Sequence, residues 1–215
     1  YINVALDKFV KEFAGAERNK IEQAYWLAKA AHRLQYRDGG ERYFNHPRRV
    51  ALYVLKYKQL LVYGSAKVAS NHIIAALLHD IVEDCYLPQG MICDLFGQEV
   101  ESLVFSLSKK IPIYDKTSGY IIRKRKISTV KYLKKMAKDG WDIELIIKMA
   151  DRLDNMRTMH KVWPKKRQMK YIKETKTLLS IFTRLSNTVI YQDLRKETDK
   201  ATLQEKILKA GDKID

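Results

Sequence analysis

Apolar side chains recur at intervals of three and four residues through nearly the whole chain, and this spacing limits the possible folds more than any other feature. The pattern predicts amphipathic helices, whereas a half-buried strand would alternate apolar and polar residues. The intervals are clear over residues 2–13 and 17–34. We find neither an alternating strand pattern nor an internal repeat. The sequence therefore predicts an all-α fold, a compact bundle of roughly eight to ten helices.

Turn residues and prolines divide the rest of the chain into further predicted helices. Residues 37–40 read as a loop, and Pro47 suits the first turn of the helix that follows. The stretch 109–119 is predicted to be a surface loop. Further helices are predicted at about 47–61, 66–84, 88–96, one ending near 108, then 120–138, 141–160, 164–187 and from 195 onward. No linker is evident, so residues 1–215 are predicted to form one domain that ends in a helical extension over about 195–215.

Length and composition allow one sizeable core. Hydrophobic residues make up 46% of the 215 residues, which is enough to fold without metal or disulfide cross-links. Trp26 and Trp141 are predicted to lie in the core. So is an apolar stripe at helical spacing, formed by Leu178, Leu179, Phe182 and Leu185.

Targeting signals and cysteine usage indicate the compartment. The apolar runs are far shorter than the roughly 20 residues that cross a bilayer, and no signal segment is evident. Cys85 and Cys93 do not form a Cys-x-x-Cys pair, and Cys85 is interpreted as a small semi-buried hydrophobe. Free thiols are typical of a reducing compartment, so we expect a cytoplasmic protein.

The charge balance predicts a polyanionic partner. The net charge is +16 and the isoelectric point is about 9.7, which favours a phosphorylated small molecule, nucleic acid or an anionic membrane surface. Basic residues concentrate late in the chain, at 123–126, 131–135 and 165–167. A solvated helix face explains such runs about as well as a binding surface does.

Acid and histidine clusters in three separated segments carry the chemical signal. The segments contribute His46, His79 with Asp80, and Asp151. Two imidazoles and two carboxylates suit a divalent metal ion with bound water. Glu83 and Asp84 follow one turn after His79 and Asp80, where a helix would place them on adjacent stripes. A metal ion beside spare carboxylates can activate water against a phosphate ester or anhydride.

The sequences around these clusters resemble the HD superfamily of metal-dependent phosphohydrolases, and within it the RelA/SpoT hydrolase domain. Residues 37–47 are similar to that family's Arg-Lys-x-Gly-Glu-x-Tyr-x-x-His-Pro segment. Residues 75–84 are similar to its Ala-Leu-Leu-His-Asp-x-x-Glu-Asp. Residues 148–158 are similar to its Lys-Leu-Ala-Asp-Arg-Leu-x-Asn-Met-Arg-Thr, the most specific match. The resemblance covers about 18–190.

The resemblance implies removal of the 3′-pyrophosphate from guanosine tetraphosphate or pentaphosphate (ppGpp or pppGpp), as in a stand-alone small alarmone hydrolase. It implies Mn²⁺ held by His46, His79, Asp80 and Asp151. It also implies catalytic roles for Glu83 and Asp84, and nucleotide contacts by Arg37 and Asn155. We further expect Arg123, Lys124 and Lys126 to hold phosphates through charge-assisted hydrogen bonds.

Two departures and two alternatives accompany this hypothesis. Asp38 replaces the basic residue of the family segment, and the stretch 47–78 is longer than expected. One alternative is an HD phosphohydrolase acting on another 2′- or 3′-phosphorylated nucleotide. The other is a catalytically idle basic module that binds nucleotide or nucleic acid, although no nucleic-acid motif is evident. No membrane partner is predicted, and His72 and His160 are interpreted as structural.

Overall fold

A computed structural model of the chain describes residues 4–56, 66–88, 90–119, 121–126 and 128–211. Helices dominate this part of the chain, so the predicted all-α class is confirmed. They are α1 (Val4–Val10), α2 (Gly15–Ala31), α3 (Asn45–Lys56), α4 (Ala66–Leu78), α5 (Ile81–Asp84), α6 (Met91–Phe96), α7 (Gln98–Leu107), α8 (Thr129–Asp139), α9 (Asp142–Thr158), α10 (Lys165–Ile181) and α11 (Val189–Gly211). Short 3₁₀ helices span Met159–Lys161 and Thr183–Leu185. None of these described helices is both long and apolar enough to cross a bilayer.

Two helices form the centre of the core. Residues 73–78 of α4 are buried completely or nearly so, and α4 packs against α2, α3 and α7. Helix α9 buries residues 145–150 and packs against α3 and α11. A helix that is apolar on most sides must be surrounded by other helices. A site formed between these two helices would therefore lie inside the bundle.

A β-hairpin follows α7 where the sequence predicted a loop and then a helix. Strand β1 (Lys110–Tyr114) pairs antiparallel with β2 (Ile121–Lys126). The prediction of a helix from residue 120 was therefore wrong as far as residue 126. Lysine and arginine are good helix formers, but intrinsic propensity is a weak determinant of structure, and strand pairing overrides it here. The turn places Gly119 at a φ of +70°, and the Asp115 carboxylate accepts hydrogen bonds from the backbone N–H groups of residues 117 and 118.

The predicted continuous helix over 66–84 is interrupted at its most polar point. Helix α4 ends at Leu78, His79 and Asp80 form a turn, and α5 begins at Ile81. The His79 Nδ1 donates a hydrogen bond to the Ala76 carbonyl oxygen at 2.8 Å. This bond satisfies a carbonyl that the end of α4 leaves without a helical partner.

The predicted core residues are confirmed with one exception. Residues Leu178, Leu179, Phe182 and Leu185 are buried, and Trp141 packs against the core while partly exposed. Trp26 is 48% exposed, so its assignment to the core was wrong. Its indole packs edge-on against Tyr25 and lies under the Lys29 ammonium. A ring of this size can cover the protein surface with one face and meet solvent and a cation with the other.

Candidate metal centre and active site

Three elements bring together His46, His79 and Asp151. His46 lies in the first turn of α3, His79 follows α4, and Asp151 lies in the middle of α9. One ligand atom from each of these residues lies within 4.8 Å of the others. The His46 Nε2 is 3.2 Å from an Asp151 oxygen. Both imidazoles are buried, so the cluster forms the floor of the site.

Asp80, the fourth residue that was predicted to hold the metal ion, also lies at the cluster. One carboxylate oxygen is 3.2 Å from the His79 Nε2, and the other is 3.6 Å from the His46 Nε2. The Tyr43 hydroxyl lies 2.9 Å from an oxygen of Asp80 and 2.9 Å from an oxygen of Asp84. A hydroxyl hydrogen can serve one of these carboxylates at a time. Tyr43 therefore links the two carboxylates.

The outer nitrogens of both histidines are already bonded to acceptors. The His79 Nδ1 donates to a backbone carbonyl, which can accept but not donate. The His46 Nδ1 lies 2.7 Å from an oxygen of the buried Asp154. Each Nε2 is thus left to offer its lone pair to the cluster. The His79 Nε2 is buried and has no hydrogen-bond partner among the described residues. Such a nitrogen fits a metal ligand, whose other ring nitrogen is normally bonded to an acceptor.

Electrostatics keep the cluster charged. Burial lowers the pKa of His46, but the carboxylates of Asp151 and Asp154 raise it to about 9. Burial raises the pKa of Asp151, but the hydrogen bond to His46 and the interactions with His46, His79 and Lys148 together outweigh burial and lower the pKa well below its usual value. Burial also raises the pKa of Asp80, and its interactions with His79, His46 and Lys148 together lower it well below the usual value. Ionised carboxylates beside imidazoles match the ligands that divalent ions prefer.

Glu83 and Asp84 line the same cavity but have different partners. The Glu83 side chain is buried, and one oxygen accepts a hydrogen bond from the backbone N–H of Lys109 at 2.8 Å. Asp84 accepts from the Tyr43 hydroxyl. The bond from the Lys109 N–H holds Glu83 in place beside the cluster. The structure thus brings both predicted catalytic carboxylates to the cluster.

A polar cavity of about 300 Å³ opens above the cluster, and we call it the site cavity. Its cationic lining includes Arg37, Lys109, Arg152 and Arg167. One guanidinium nitrogen of Arg37 hydrogen-bonds to the Asn155 side-chain oxygen. Another is buried and has no hydrogen-bond partner among the described residues. Asn155 in turn donates to Asp151 at 2.8 Å. The predicted nucleotide contacts, Arg37 and Asn155, therefore lie next to the predicted metal ligand.

The first two turns of α10 and the turn before it supply one wall that the sequence analysis missed. Trp163, Arg167 and Tyr171 line the site cavity. The Arg167 guanidinium lies over the Trp163 ring, 3.9 Å from its centre, and pairs with Asp38 at 2.5 Å. Arg167 thus brings a cation next to the position where Asp38 replaces the family's basic residue. These three side chains are four residues apart in the sequence, but no local motif connected them with residues 37–47.

Two further positively charged residues lie close to the cluster. The pKa of Lys109 is raised because the charge of Glu83 outweighs the effect of burial. Lys148 is buried, and its ammonium has no hydrogen-bond partner among the described residues. Burial and the charge of Lys109 lower its pKa. Both lysines therefore add positive potential beside the carboxylates.

The structure does not describe the side chains of the three basic residues predicted to hold phosphates. Arg123, Lys124 and Lys126 lie in β2, and their side chains fall outside the described part of the chain. Their predicted role stays a prediction. Of the described cations that line the site cavity, Arg37 was predicted, whereas Lys109, Arg152 and Arg167 were not. They come from three separate elements, and each looks like an ordinary surface charge in the sequence.

A second and larger cavity lies elsewhere. This helical groove, of about 730 Å³, is formed between the end of α9, the following 3₁₀ helix, α10 and α11. Met156, Met159, Met169 and Ile172 are among its lining residues. No residue of the predicted site is among the described residues that line it.

Fold and site together define a helical domain with a buried histidine–carboxylate cluster suited to a divalent metal ion. Comparison with known families agrees, since a profile described as HD domain matches residues 24–189. The chain belongs to the HD domain family.

Relatives and a solved structure extend this comparison. The chain is 30% identical over 204 residues to the bifunctional (p)ppGpp synthase/hydrolase SpoT of Escherichia coli K12, covering 93% of this chain and 26% of that protein. It is 33% identical over 160 residues to the guanosine-3′,5′-bis(diphosphate) 3′-pyrophosphohydrolase of Borreliella burgdorferi, covering 74% and 21%. The chain thus spans about a quarter of the length of these relatives.

The fold is also similar to that of a solved protein described as a metazoan ortholog of SpoT that hydrolyzes ppGpp. The TM-score is 0.63 at 21% identity, covering 90% of this chain and 97% of the other. At that identity the likeness supports the fold alone.

Proposed function

We propose that this domain hydrolyses the 3′-pyrophosphate of guanosine tetraphosphate or pentaphosphate. The observation that carries the proposal is the pair of buried histidines whose Nε2 atoms face Asp80 and Asp151 beneath a cavity lined by both cations and carboxylates. The named activities of the relatives supply the substrate. The lining of this cavity of about 300 Å³ includes arginines and a lysine, which suit an anionic ligand of this size class, while a bound metal ion would neutralise part of the carboxylate charge.

His46, His79, Asp80 and Asp151 would hold the metal ion, which we propose is Mn²⁺. A bound divalent ion supplies positive charge that acidifies water and neutralises phosphate oxygens. The residues fit this role because they offer two imidazole Nε2 atoms and two carboxylates, with both imidazoles hydrogen-bonded on their far side. His46 would lose the proton that it carries on Nε2 below its pKa of about 9 when the metal ion binds there.

Glu83 and Asp84 are the candidates for moving the protons. In the reaction, water oxygen bonds to the phosphorus attached to the ribose 3′ oxygen, and the bond from phosphorus to that oxygen breaks. A carboxylate within reach accepts the proton from water and returns a proton to the 3′ oxygen. Glu83 is held by the Lys109 N–H for this task, while Asp84 is oriented by Tyr43. The products are GDP or GTP and pyrophosphate.

Cations around the cavity would bind the phosphates. Arg37 lines the site cavity, and its buried guanidinium nitrogen lies 3.6 Å from an Asp154 oxygen without a hydrogen-bond partner among the described residues. This nitrogen would donate to a phosphate oxygen. Lys109, Arg152 and Arg167 line the same space. The positive potential of these groups also favours the negative charge that develops on the transferred phosphorus group.

We further propose that residues 1–215 act as one domain in the cytoplasm. The buried apolar residues support the first part, because a single cluster runs from Phe9 in α1 to Leu194 in α11. The free cysteines support the second.

The test is pyrophosphate release from guanosine tetraphosphate, measured with Mn²⁺ and with a chelator, for the parent chain and for Asp80→Ala. Asp193→Ala is the matched control, since Asp193 pairs with Arg157 on α9 and is not part of the cluster. We expect release that needs Mn²⁺, survives in the control and is lost in Asp80→Ala. Faster release from another 2′- or 3′-phosphorylated nucleotide would mean that this other nucleotide is the substrate. Binding of nucleotide or nucleic acid without turnover would support the alternative of a catalytically idle binding module.

A further inference from the structure

A third carboxylate contacts His46 from the side away from the cluster. The Asp154 side chain is completely buried, and one oxygen lies 2.7 Å from the His46 Nδ1. The cluster lies at the opposite ring nitrogen, where Asp151 and Asp80 approach the Nε2. Asp154 is therefore behind the imidazole and is not a fifth ligand.

Asp154 is itself held by an arginine. The Arg49 Nε donates to one Asp154 oxygen at 2.6 Å, and a terminal nitrogen of Arg49 lies 3.2 Å from the other. Arginine can only donate hydrogen bonds. Both Asp154 oxygens are consequently used as acceptors. The one nearer His46 also lies 3.6 Å from a guanidinium nitrogen of Arg37, and it can still receive the Nδ1–H because a carboxylate oxygen accepts more than one hydrogen bond.

Arg49 is fixed on its far side by Glu41. Its two terminal nitrogens lie 2.5 and 3.0 Å from the two Glu41 oxygens. Such a two-pronged pair sets the plane of the guanidinium as well as its position. The pKa of Glu41 is lowered, mainly because Arg49 donates to it. The structure thus contains a continuous chain from Glu41 through Arg49 and Asp154 to His46.

We propose that Asp154, oriented by Arg49, is a positioning residue that keeps His46 protonated on Nδ1 and turns its Nε2 lone pair to the metal. The inference rests on the metal site of the proposed function, but the protonation of His46 can be measured without metal. Second partners of ligating histidines typically change metal affinity by about 10- to 100-fold when they are removed.

Asp154→Asn is the most informative variant because Arg49 dictates how the amide must turn. The Arg49 Nε makes the shortest arginine contact, 2.6 Å from one Asp154 oxygen, so the amide oxygen should take that position. The amide NH₂ should then take the position facing His46, where a terminal nitrogen of Arg49 at 3.2 Å and one of Arg37 at 3.6 Å also lie. An NH₂ group at that position makes the His46 Nδ1 an acceptor and moves the ring proton to Nε2. A wrong tautomer of this kind disables a histidine while leaving its geometry intact.

Arg49→Met/Asp154→Asn provides the rescue. Without Arg49 the amide can rotate, present its oxygen to His46 and restore the Nδ1–H. Loss of a merely structural contact would not be repaired by a second substitution of this kind. Asp193→Asn serves as the control, because it makes the same chemical change at a carboxylate that pairs with Arg157.

The experiment measures two quantities in the full chain. Long-range ¹H–¹⁵N NMR of the metal-free protein, recorded as a pH titration up to the point where the His46 signals no longer change, reports the tautomer of the neutral His46 ring. The electron paramagnetic resonance signal of free Mn²⁺ reports the metal dissociation constant.

We expect an Nδ1–H tautomer in the parent, Nε2–H in Asp154→Asn with about 10- to 100-fold weaker Mn²⁺ binding, and recovery of most of that loss in the double variant. An Nε2–H tautomer in the parent, or an unchanged tautomer and affinity in Asp154→Asn, would overturn the proposal. If Asp154→Asn fails to fold, the parent tautomer and the double variant still decide it. If the parent binds no Mn²⁺ but the tautomer switches as expected, the metal assignment of the proposed function fails and the role of Asp154 stands.

Discussion

The site cavity and the helical groove share helix α9 but differ in size and in chemistry. The groove has about 730 Å³ and three methionines in its lining beside charged and polar residues, whereas the site cavity has about 300 Å³ and a lining of charged, polar and aromatic side chains. Asp151 and Asn155 of α9 line the smaller cavity, and Met156 and Arg157 line the larger one. A buried polar atom without a hydrogen-bond partner is costly. Such atoms occur on Arg37, which lines the site cavity, and on His79 in the cluster beneath it, whereas none of the described residues that line the groove carries one. Buried polar atoms of this kind therefore separate the two cavities, although a few, such as those of Asn71 and His72, occur elsewhere.

The largest difference is expected between a histidine of the cluster beneath the site cavity and a histidine of the groove. His79→Ala removes a buried Nε2 from the cluster, and we expect Mn²⁺ binding and pyrophosphate release both to fall by at least about 100-fold. His160→Ala is the matched change in the groove, and we expect both quantities to stay near the parent values. Isothermal titration with Mn²⁺ and a pyrophosphate-release assay measure the two effects. A fully active His79→Ala would remove the histidine cluster from the mechanism.

A second pair separates metal binding from proton transfer. Glu83→Gln keeps the shape of the side chain and an acceptor for the Lys109 N–H but removes the basic carboxylate. We expect kcat to fall by about 100- to 10,000-fold while Mn²⁺ affinity is kept.

The groove provides the control for this change. Glu197 lines the groove and accepts a hydrogen bond from Arg157, so Glu197→Gln should leave kcat near the parent value. Parent-like turnover by Glu83→Gln would assign the proton transfer to Asp84 instead, and Asp84→Asn measured under the same conditions would then show the large loss.

Two cations near the start of α10 sharpen the comparison further. Arg167 lines the site cavity, whereas Lys165, two residues earlier, lines the groove. Arg167→Gln should raise KM by about 3- to 10-fold with a smaller change in kcat, because Arg167 is an exposed cation whose contribution is screened by solvent. Lys165→Gln should leave KM unchanged. Equal effects of the two substitutions, read from steady-state kinetics at low salt, would mean that net charge and not position governs binding.

The residues that the sequence analysis could identify lie in short local motifs. The structure brings together four of them, each from a segment similar to a motif of the RelA/SpoT hydrolase domain: His46, His79, Asp80 and Asp151. Asp154 was missed even though it lies three residues after Asp151, because its partner Arg49 is distant in sequence and only the packing of α3 on α9 joins them. Arg167 was missed for the same reason.

The hairpin shows where the sequence failed on the fold itself. Residues 121–126 are mostly lysine and arginine, which form helices readily in isolation. Their strand conformation depends on pairing with residues 110–114 across a turn. Propensity is weaker than such pairing, so a reading of single segments predicts a helix there.

The smallest effect is expected from the apolar lining of the groove. Met169 is partly exposed at the groove, and Met169→Ala should change the free energy of unfolding by less than about 1 kcal/mol, as surface substitutions usually do. Its kcat and KM should stay within about twofold of the parent, because Met169 is not among the described residues that line the site cavity. Urea unfolding and the pyrophosphate assay measure the two quantities on one preparation. Met169 and Arg167 lie on the same helix, so a loss of kcat without a loss of stability would show that α10 couples the groove to the site cavity. In that case the two cavities would have to be treated as one functional unit, and the contrast between them would describe their chemistry but not their roles.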